Sequence, residues 1–145
     1  MSTVLPPVLC ALPSAQDRAF TQTLVLGTLR FEPRLSALST LLLDKPLKRG
    51  DLAVKACLLL GLYQIIYLKT PPHAAVSESV SLVPRHLPWA RGLVNAVLRR
   101  FAREPKTLLD IADREDVARL AHDVARQVAD DVREVRGVHR RYRFE

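Results

Sequence analysis

The stretch LAVKACLLLGLYQIIYLK, residues 52–69, is the most apolar part of the chain and decides its fold. It falls short of the roughly 20 apolar residues that a membrane span requires, and it contains Lys55 and Gln64. Because it is hydrophobic nearly all round, it predicts a buried helix that crosses the middle of a globular fold. Asp51, directly before it, is the expected N-cap of this helix.

Prolines and capping residues predict further helices on both sides of this segment. Ser14, with Asp17 three positions later, nearly matches the capping box that starts a helix. Pro33 suits a first helical turn, and Trp89 begins a helix after the break PRHLP. Nothing between residues 14 and 103 alternates with a period of two, so the predicted class is all-α. The expected helices cover residues 15–30, 33–43, 52–69, 73–83 and 89–103.

The two ends of the chain differ from these helices. Residues 1–13 are broken by prolines and predict an extended or single-turn lead-in, without the basic leader of a signal peptide. Residues 105–145 predict a separate helical tail that is capped by Asp113 and ended by Gly137. An apolar stripe on this tail must dock on the domain formed by residues 1–104, pair with a second copy, or meet a partner protein. The stripe consists of Val117, Leu120, Val124, Val128, Val132 and Val135.

Charge also separates the two parts of the chain. The protein has 22 Lys and Arg against 15 Asp and Glu, a net charge of +7. Residues 1–104 hold 13 of the basic and 6 of the acidic side chains, so the whole excess lies there. A compact basic domain favours a polyanionic partner, nucleic acid first, although charge also promotes solubility. The two cysteines, Cys10 and Cys57, form no CxxC pattern, which favours a reducing, cytoplasmic setting.

No group of residues in the sequence forms a self-contained active site. His73 and Glu78 are five positions apart, about 140° around a helix, so they point apart and cannot chelate one ion. We expect His73 to cap or pack in a first helical turn, and Glu78 to form an ion pair or a polar contact between helices. No nucleophile elbow, phosphate-binding glycine loop or pair of carboxylates occurs, so no residue is assigned a catalytic or metal-binding role.

The segment RGLVNAVLRRFAR, residues 91–103, predicts a helix with an apolar and a basic side. The expected buried arc is Leu93, Val94, Val97, Leu98 and Phe101. One line on the helix surface carries Arg91, Asn95, Arg99 and Arg103. Asn95 fits a hydrogen bond to a neighbouring backbone group better than an RNA contact. The candidate phosphate-contacting residues of the whole chain are Arg91, Arg99, Arg100, Arg103, Arg30, Arg34, Lys45, Lys48, Arg49 and Lys69.

The aromatic side chains predict packing rather than binding. Tyr63 and Tyr67, one turn apart in the buried helix, are expected core or boundary residues with a hydroxyl near water. Trp89 is expected to act as a hydrophobic staple at the start of its helix. None of the three is typical of a base-stacking platform.

Three segments, in their order and spacing, resemble the NusB-like RNA-binding domain: DRAFTQTLVLGTLR (17–30), LLLGLYQIIYLKTPPHAAVSESV (58–80) and RGLVNAVLRRF (91–101). The combination of GLYQ, PPHAAV and GLVNAVLR is most similar to the version at the N-terminus of the RsmB (Fmu/Sun) ribosomal RNA cytosine-5 methyltransferases. The resemblance covers residues 4–104 and implies a helical bundle of two three-helix halves. The family's first helix would precede residue 4.

The resemblance implies that this domain binds RNA, in particular small-subunit ribosomal RNA, while a separate downstream domain transfers the methyl group. S-adenosylmethionine would be bound by that other domain, so we expect no cofactor in this chain and no catalysis by it alone. Two alternatives stay open. One is an antitermination factor that binds RNA and a ribosomal protein, and the other is a helical module for protein interaction or homodimerisation through the tail.

Overall fold

The computed structural model describes the backbone of residues 4–141, and the side chains of this range except at positions 117, 120, 131, 132 and 134–141. All regular structure within this range is helical, which confirms the all-α prediction. The helices are α1 (Leu5–Cys10), α2 (Ala15–Arg30), α3 (Glu32–Leu42), α4 (Leu52–Ile66), α5 (Pro72–Leu82), α6 (Pro88–Arg103) and α7 (Pro105–Arg141).

Helix α4 forms the centre of the bundle, as its apolar sequence predicts. It packs against α2, α3, α5 and α6, and its residues Val54, Leu58 and Leu62 are fully buried. The helix ends at Ile66, three residues earlier than predicted. Lys69 has a φ of 54°, a left-handed conformation that a continuous right-handed helix excludes. Within residues 4–141, no helix has both the length and the hydropathy needed to cross a membrane.

The helix starts follow the predicted capping and proline positions, with one difference. The backbone N–H of Asp17 donates to Ser14 Oγ over 2.9 Å, so α2 begins with the expected cap. Helices α3, α5 and α6 each carry a proline in the first turn, and so does the short helix α1 in the lead-in. Asp51 precedes α4, but its side chain makes no cap hydrogen bond. Its Oδ2 instead accepts from the backbone N–H of Lys48 over 3.2 Å.

Gly61 of α4 lets three helices approach each other closely. A Cβ at this position would lie 2.5 Å from Leu98 Cδ1 of α6 and 2.7 Å from Ser79 Oγ of α5, closer than non-bonded atoms tolerate. Only a residue without a side chain fits between these neighbours. The close contact seats α5 and α6 on the same part of α4, and therefore beside each other.

Helix α7 differs from the predicted tail in its start, its length and its end. It begins at Pro105, which suits a first turn, and runs through Asp113 and Gly137 to Arg141. Asp113 does not cap the helix because it lies eight residues beyond the start, and its carboxylate is paired with Arg34 of α3. A glycine inside a helix costs only about 1 kcal/mol, so Gly137 does not end it. The 37 residues of α7 give a length of about 55 Å.

The first turns of α7 belong to the core, whereas its middle does not. Ala112 is fully buried, and Leu108 and Leu109 pack against the core cluster. Residues 121–130 are all exposed, including Val124 and Val128 at 55% each. At these two positions the predicted apolar stripe does not dock on the bundle. The other members of the stripe lie outside the described side chains: Val117, Leu120, Val132 and Val135.

Candidate nucleic-acid interface

A groove of about 580 Å³ lies between α5 and α6, and we call it the α5–α6 groove. Helix α6 contributes Asn95, Arg99 and Arg103, which share one face because they recur at every fourth position. The groove combines cations and an amide on one wall with hydroxyl and imidazole groups on the other, and apolar residues between them. These further lining residues are Pro72, His73, Val76, Ser77, Val80, Ser81 and Ala102.

Burial on the opposite side of α6 determines which of its side chains face this groove. The predicted apolar arc is confirmed, since four of its members are buried and the fifth is partly buried. Because this arc packs into the core, the polar residues on the opposite side of α6 face away from the core. The buried residues are Val94, Val97, Leu98 and Phe101, and the partly buried one is Leu93.

Arg99 and Arg103 form an unpaired cationic wall of the α5–α6 groove. Both side chains are exposed, and neither has an ion pair or a hydrogen bond with any other described residue. None of the residues that line the groove is acidic. An anion that enters the groove therefore meets two guanidinium groups and no like charge, and it breaks no existing pair when it binds.

Asn95 does not make the backbone hydrogen bond that its sequence context predicts. Its side chain is half-buried at the edge of the groove, and its amide has no hydrogen-bond partner among the described residues. Position 95 lies on α6 between the buried arc and the exposed Arg99, where the helix borders the groove. The donors and the acceptor of the amide are thus available to a ligand.

A second cavity, of about 730 Å³, lies where the connection between α3 and α4 passes the start of α6, and we call it the Trp89 cavity. Trp89 is 52% exposed and is not the predicted staple. Pro88 is the first residue of α6 and Leu87 is the N-cap, so Trp89 lies inside the helix rather than before it. The other lining residues are Leu43, Asp44, Lys45, Pro46, Leu47, Lys48, Asp51 and Leu93.

Arg34 and Arg100 have hydrogen bonds within the fold, which sets them apart from the free cations. Arg34 donates to both carboxylate oxygens of Asp113 and, over 2.9 Å, to Tyr67 Oη. These hydrogen bonds, the one to Asp113 first, raise the pKa of Arg34 above its ordinary value. Arg100 donates to the carbonyl oxygen of Leu42 over 3.3 Å, at the C-terminal end of α3. Both side chains therefore stabilise helix packing.

The four remaining predicted cations are exposed and lie on different parts of the fold. Arg30 ends α2, and its guanidinium carbon lies 5.8 Å from the ring centroid of Phe31. Arg91 lies in the first turn of α6, and Arg49 and Lys69 lie in the connections before and after α4. None of these four cations lines the α5–α6 groove or the Trp89 cavity.

His73 and Glu78 do not take the structural roles expected of them. The first turn of α5 has no side-chain cap, and the exposed His73 lines the α5–α6 groove instead. Glu78 is exposed and has no ion pair or hydrogen bond with another described residue, because its position on α5 faces outward. In the part of the chain that the structure describes, no three His, Cys, Asp or Glu side chains lie close enough to hold a metal ion.

Tyr63 and Tyr67 occupy the core and its boundary, as predicted. Tyr63 is buried and Tyr67 is half-buried, and their ring centroids are 5.2 Å apart. Phe31 stacks on Tyr67 with a centroid distance of 4.1 Å, an arrangement that no sequence pattern indicated. Together with Arg34 and Asp113, this stack joins α3, α4 and α7.

An all-helical bundle with an unpaired basic groove is typical of a helical domain that binds a polyanion. Comparison with known proteins identifies the family to which the domain belongs. The sequence profile of the NusB family matches residues 11–103, which is more than half of the chain. The chain belongs to the NusB family, and the resemblance seen in its sequence is confirmed.

The similar proteins include ribosomal RNA small subunit methyltransferase B from several bacteria. The protein of that name from Pseudomonas putida is 49% identical over 108 residues, which are 74% of this chain and 25% of the relative. The one from Sodalis glossinidius is 40% identical over 83% of this chain and 28% of its own length. The matched part is the N-terminal part of these proteins. The chain thus spans about a quarter of the length of the relatives it matches.

Proposed function

We propose that this chain is an RNA-binding domain, that ribosomal RNA is its ligand, and that the α5–α6 groove contacts the phosphates. The observation that carries the proposal is that Arg99 and Arg103 line this groove without any acidic partner within the described residues. The net charge of +7, all of it within residues 1–104, supports a polyanionic ligand. The names of the relatives point to ribosomal RNA from the small subunit.

The groove has the chemistry that an RNA backbone requires. A guanidinium group offers several N–H donors in a fixed plane and binds phosphate oxygens in a bidentate manner. Asn95, Ser77 and His73 line the same groove, and their side chains offer further hydrogen-bond donors and acceptors to a ribose or phosphate there. These contacts position an RNA without reading its bases.

Catalysis belongs elsewhere in this proposal. Methyl transfer and the binding of S-adenosylmethionine would be carried out by a separate domain, while residues 1–104 hold the RNA substrate in place. The chain alone would therefore bind RNA without modifying it. Ribosomal RNA as the ligand places this activity in the cytoplasm.

The salt dependence of binding tests this proposal. A double variant, R99A with R103A, is titrated with a fluorescently labelled fragment of small-subunit ribosomal RNA at several salt concentrations. Each lost phosphate contact lowers the slope of log affinity against log salt by about 0.7 to 0.9, so we expect a slope lower by about 1.4 to 1.8. A matched control, R126A with R133A, removes the same charge from arginines that are paired with Asp123 and Asp130 on α7.

Two results would contradict the proposal. One is an absence of measurable affinity of the unmodified chain for the RNA at low salt. The other is an equal loss of slope in both double variants, since this would assign the effect to net charge rather than to the groove. Circular dichroism must show unchanged helicity for each variant, so that a loss of affinity reports on contacts and not on folding.

A second candidate function concerns α7, and one observation favours it. Val124 and Val128 lie one turn apart and are each 55% exposed, on a stretch that extends away from the core contacts of Ala112. We propose that the part of the chain beyond residue 113 forms an extension whose apolar side binds a second copy or a partner protein, such as a ribosomal protein. Sedimentation of the intact chain and of a V124E, V128E variant tests the first possibility. A species that is monomeric in both cases would contradict homodimerisation.

A further inference from the structure

The Trp89 cavity has a combination of side chains that the proposed phosphate contacts do not use. Trp89 is the only tryptophan of the chain, and about half of its surface is open to solvent. Binding is favoured when it removes a large aromatic surface from water. An exposed indole beside a cavity can therefore stack against a planar ligand. At about 730 Å³, the cavity is of the size that holds a small molecule or part of a larger one.

Charges of both signs surround the indole. Lys45 and Lys48 are exposed and supply ammonium groups, while Asp44 and Asp51 supply carboxylates. Asp44 has no hydrogen bond or ion pair with another described residue. Asp51 uses Oδ2 to accept the backbone N–H of Lys48, which leaves Oδ1 available. A fitting ligand must therefore have a flat apolar face, an anionic part and a hydrogen-bond donor.

These requirements exclude several classes of partner. Acidic side chains would supply counter-charges for Lys45 and Lys48 but neither a flat face for the indole nor a donor for Asp44 and Asp51. A purely apolar segment would leave Lys45 and Lys48 without a counter-charge. Paired bases in a duplex are stacked on each other and cannot lie flat on a side chain. A single unpaired nucleotide satisfies all three requirements, because it joins a planar base to a phosphate.

We propose that the Trp89 cavity binds one unpaired nucleotide whose base carries an exocyclic amine. The base stacks on the Trp89 indole, the amine donates to the free carboxylate oxygens of Asp44 or Asp51, and Lys45 and Lys48 contact the flanking phosphates. Uracil, which presents a carbonyl where cytosine presents an amine, would meet the same carboxylates with an acceptor and be disfavoured. This inference rests on the proposed RNA-binding function and adds a second, base-selective contact to it.

The fluorescence of Trp89 reports directly on this cavity, since no other tryptophan contributes to the emission. The intact chain is titrated at low salt with oligocytidylate and oligouridylate of equal length, which differ in the exocyclic amine. We expect oligocytidylate to quench the emission and to bind at least about fivefold more tightly than oligouridylate. Binding of the same labelled oligomers is followed in parallel by fluorescence anisotropy, which does not depend on the tryptophan.

Three variants sharpen the test. W89A should weaken the binding of oligocytidylate between about fivefold and 150-fold, whereas W89F, which keeps an aromatic face, should weaken it less. D44A with D51A should abolish the preference for cytosine and raise the affinity for oligouridylate, because two negative charges are removed and uracil loses no hydrogen bond. A variant that merely unfolds would lose affinity for both, so this opposite direction separates ligand recognition from a structural effect.

The outcomes distinguish this inference from the proposed function. If anisotropy shows binding that depends on Arg99 while the tryptophan emission stays unchanged, the inference is overturned and the RNA-binding function stands. Equal quenching and equal affinity for the two oligomers would overturn the selectivity for an amine. If neither oligomer nor ribosomal RNA binds at all, both proposals fail.

Discussion

Arg34 and Asp113 are 79 positions apart in the chain and are joined by two parallel hydrogen bonds. Arg34 Nε donates to Asp113 Oδ1 over 2.8 Å, and Nη2 donates to Oδ2 over 2.9 Å. The third nitrogen of the guanidinium, Nη1, donates to Tyr67 Oη. One side chain of α3 thereby links the end of α4 to the first turns of α7. Up to Asp113, α7 is part of the folded domain.

We expect D113A to lower the free energy of unfolding by about 1 kcal/mol. This is the upper end of the usual contribution of an exposed ion pair, and it applies here because the geometry is bidentate. Side-chain exposures of 31% for Arg34 and 51% for Asp113 keep the value from being larger. Urea denaturation followed by circular dichroism measures it. D123A is the matched control, because Asp123 pairs with Arg126 within α7 only. An equal loss of stability in both variants would show that the contact between α3 and α7 contributes nothing of its own.

Features that depend on local sequence were predictable. The burial of α4 and the apolar arc of α6 follow from hydrophobic residues at helical spacing, and the Ser14 cap follows from a short-range motif. A pattern of this kind needs no knowledge of neighbouring helices. The all-α class and the outward position of Arg99 could therefore be deduced from the sequence.

Features that depend on contacts between distant residues were not predictable. Asp113 was expected to cap the tail helix but pairs with Arg34, and no local pattern signals a partner 79 positions away. The exposure of Trp89 depends on the path of the connection between α3 and α4, which carries no periodic signal. The shortage of partners for Asn95 likewise became visible only once α5 was packed beside α6.

The close packing of Tyr63 against Gly27 predicts that a side chain at position 27 destabilises the fold. A Cβ at Gly27 would lie 2.0 Å from Tyr63 Oη and 2.1 Å from its Cζ, so G27A forces the buried ring to move. We expect it to lower the free energy of unfolding by about 1 to 3 kcal/mol, the usual cost of overpacking. G92A is the matched control, since no atom lies within 4 Å of a Cβ there and alanine favours the helix by about 0.5 to 1 kcal/mol. Thermal denaturation should shift in opposite directions, and a destabilised G92A would refute this explanation.

Two buried serines should respond in opposite ways to replacement by alanine. Ser79 is fully buried and its Oγ has no hydrogen-bond partner within the described residues, whereas Ser39 Oγ donates to the carbonyl oxygen of Ser36 over 2.8 Å. S79A removes a desolvated hydroxyl and is expected to leave stability unchanged or raise it by about 1 kcal/mol. S39A loses a hydrogen bond and is expected to cost about 1 kcal/mol. Chemical denaturation of the two variants measures both effects, and a loss of stability in S79A would contradict the first.

The two cysteines should differ sharply in reactivity. Cys10 is exposed, whereas Cys57 is buried in the core and burial raises the pKa of its thiol. Since the thiolate is the reactive form, we expect a thiol reagent to modify one residue quickly and the other only when the protein unfolds. C10S is expected to abolish the fast phase and keep the slow one.

The raised pKa of Cys57 also sets the direction of a pH effect. A neutral thiol is favoured in the folded state, so its contribution to stability is fully present below the ordinary thiol pKa. The contribution is lost as the pH rises through the raised value, because the unfolded chain ionises first. The labelling rate of Cys57 in C10S should therefore rise at alkaline pH. The rise should exceed the increase expected from the thiolate fraction of a free thiol alone. A rate that follows only that fraction would show that burial of Cys57 is not coupled to unfolding.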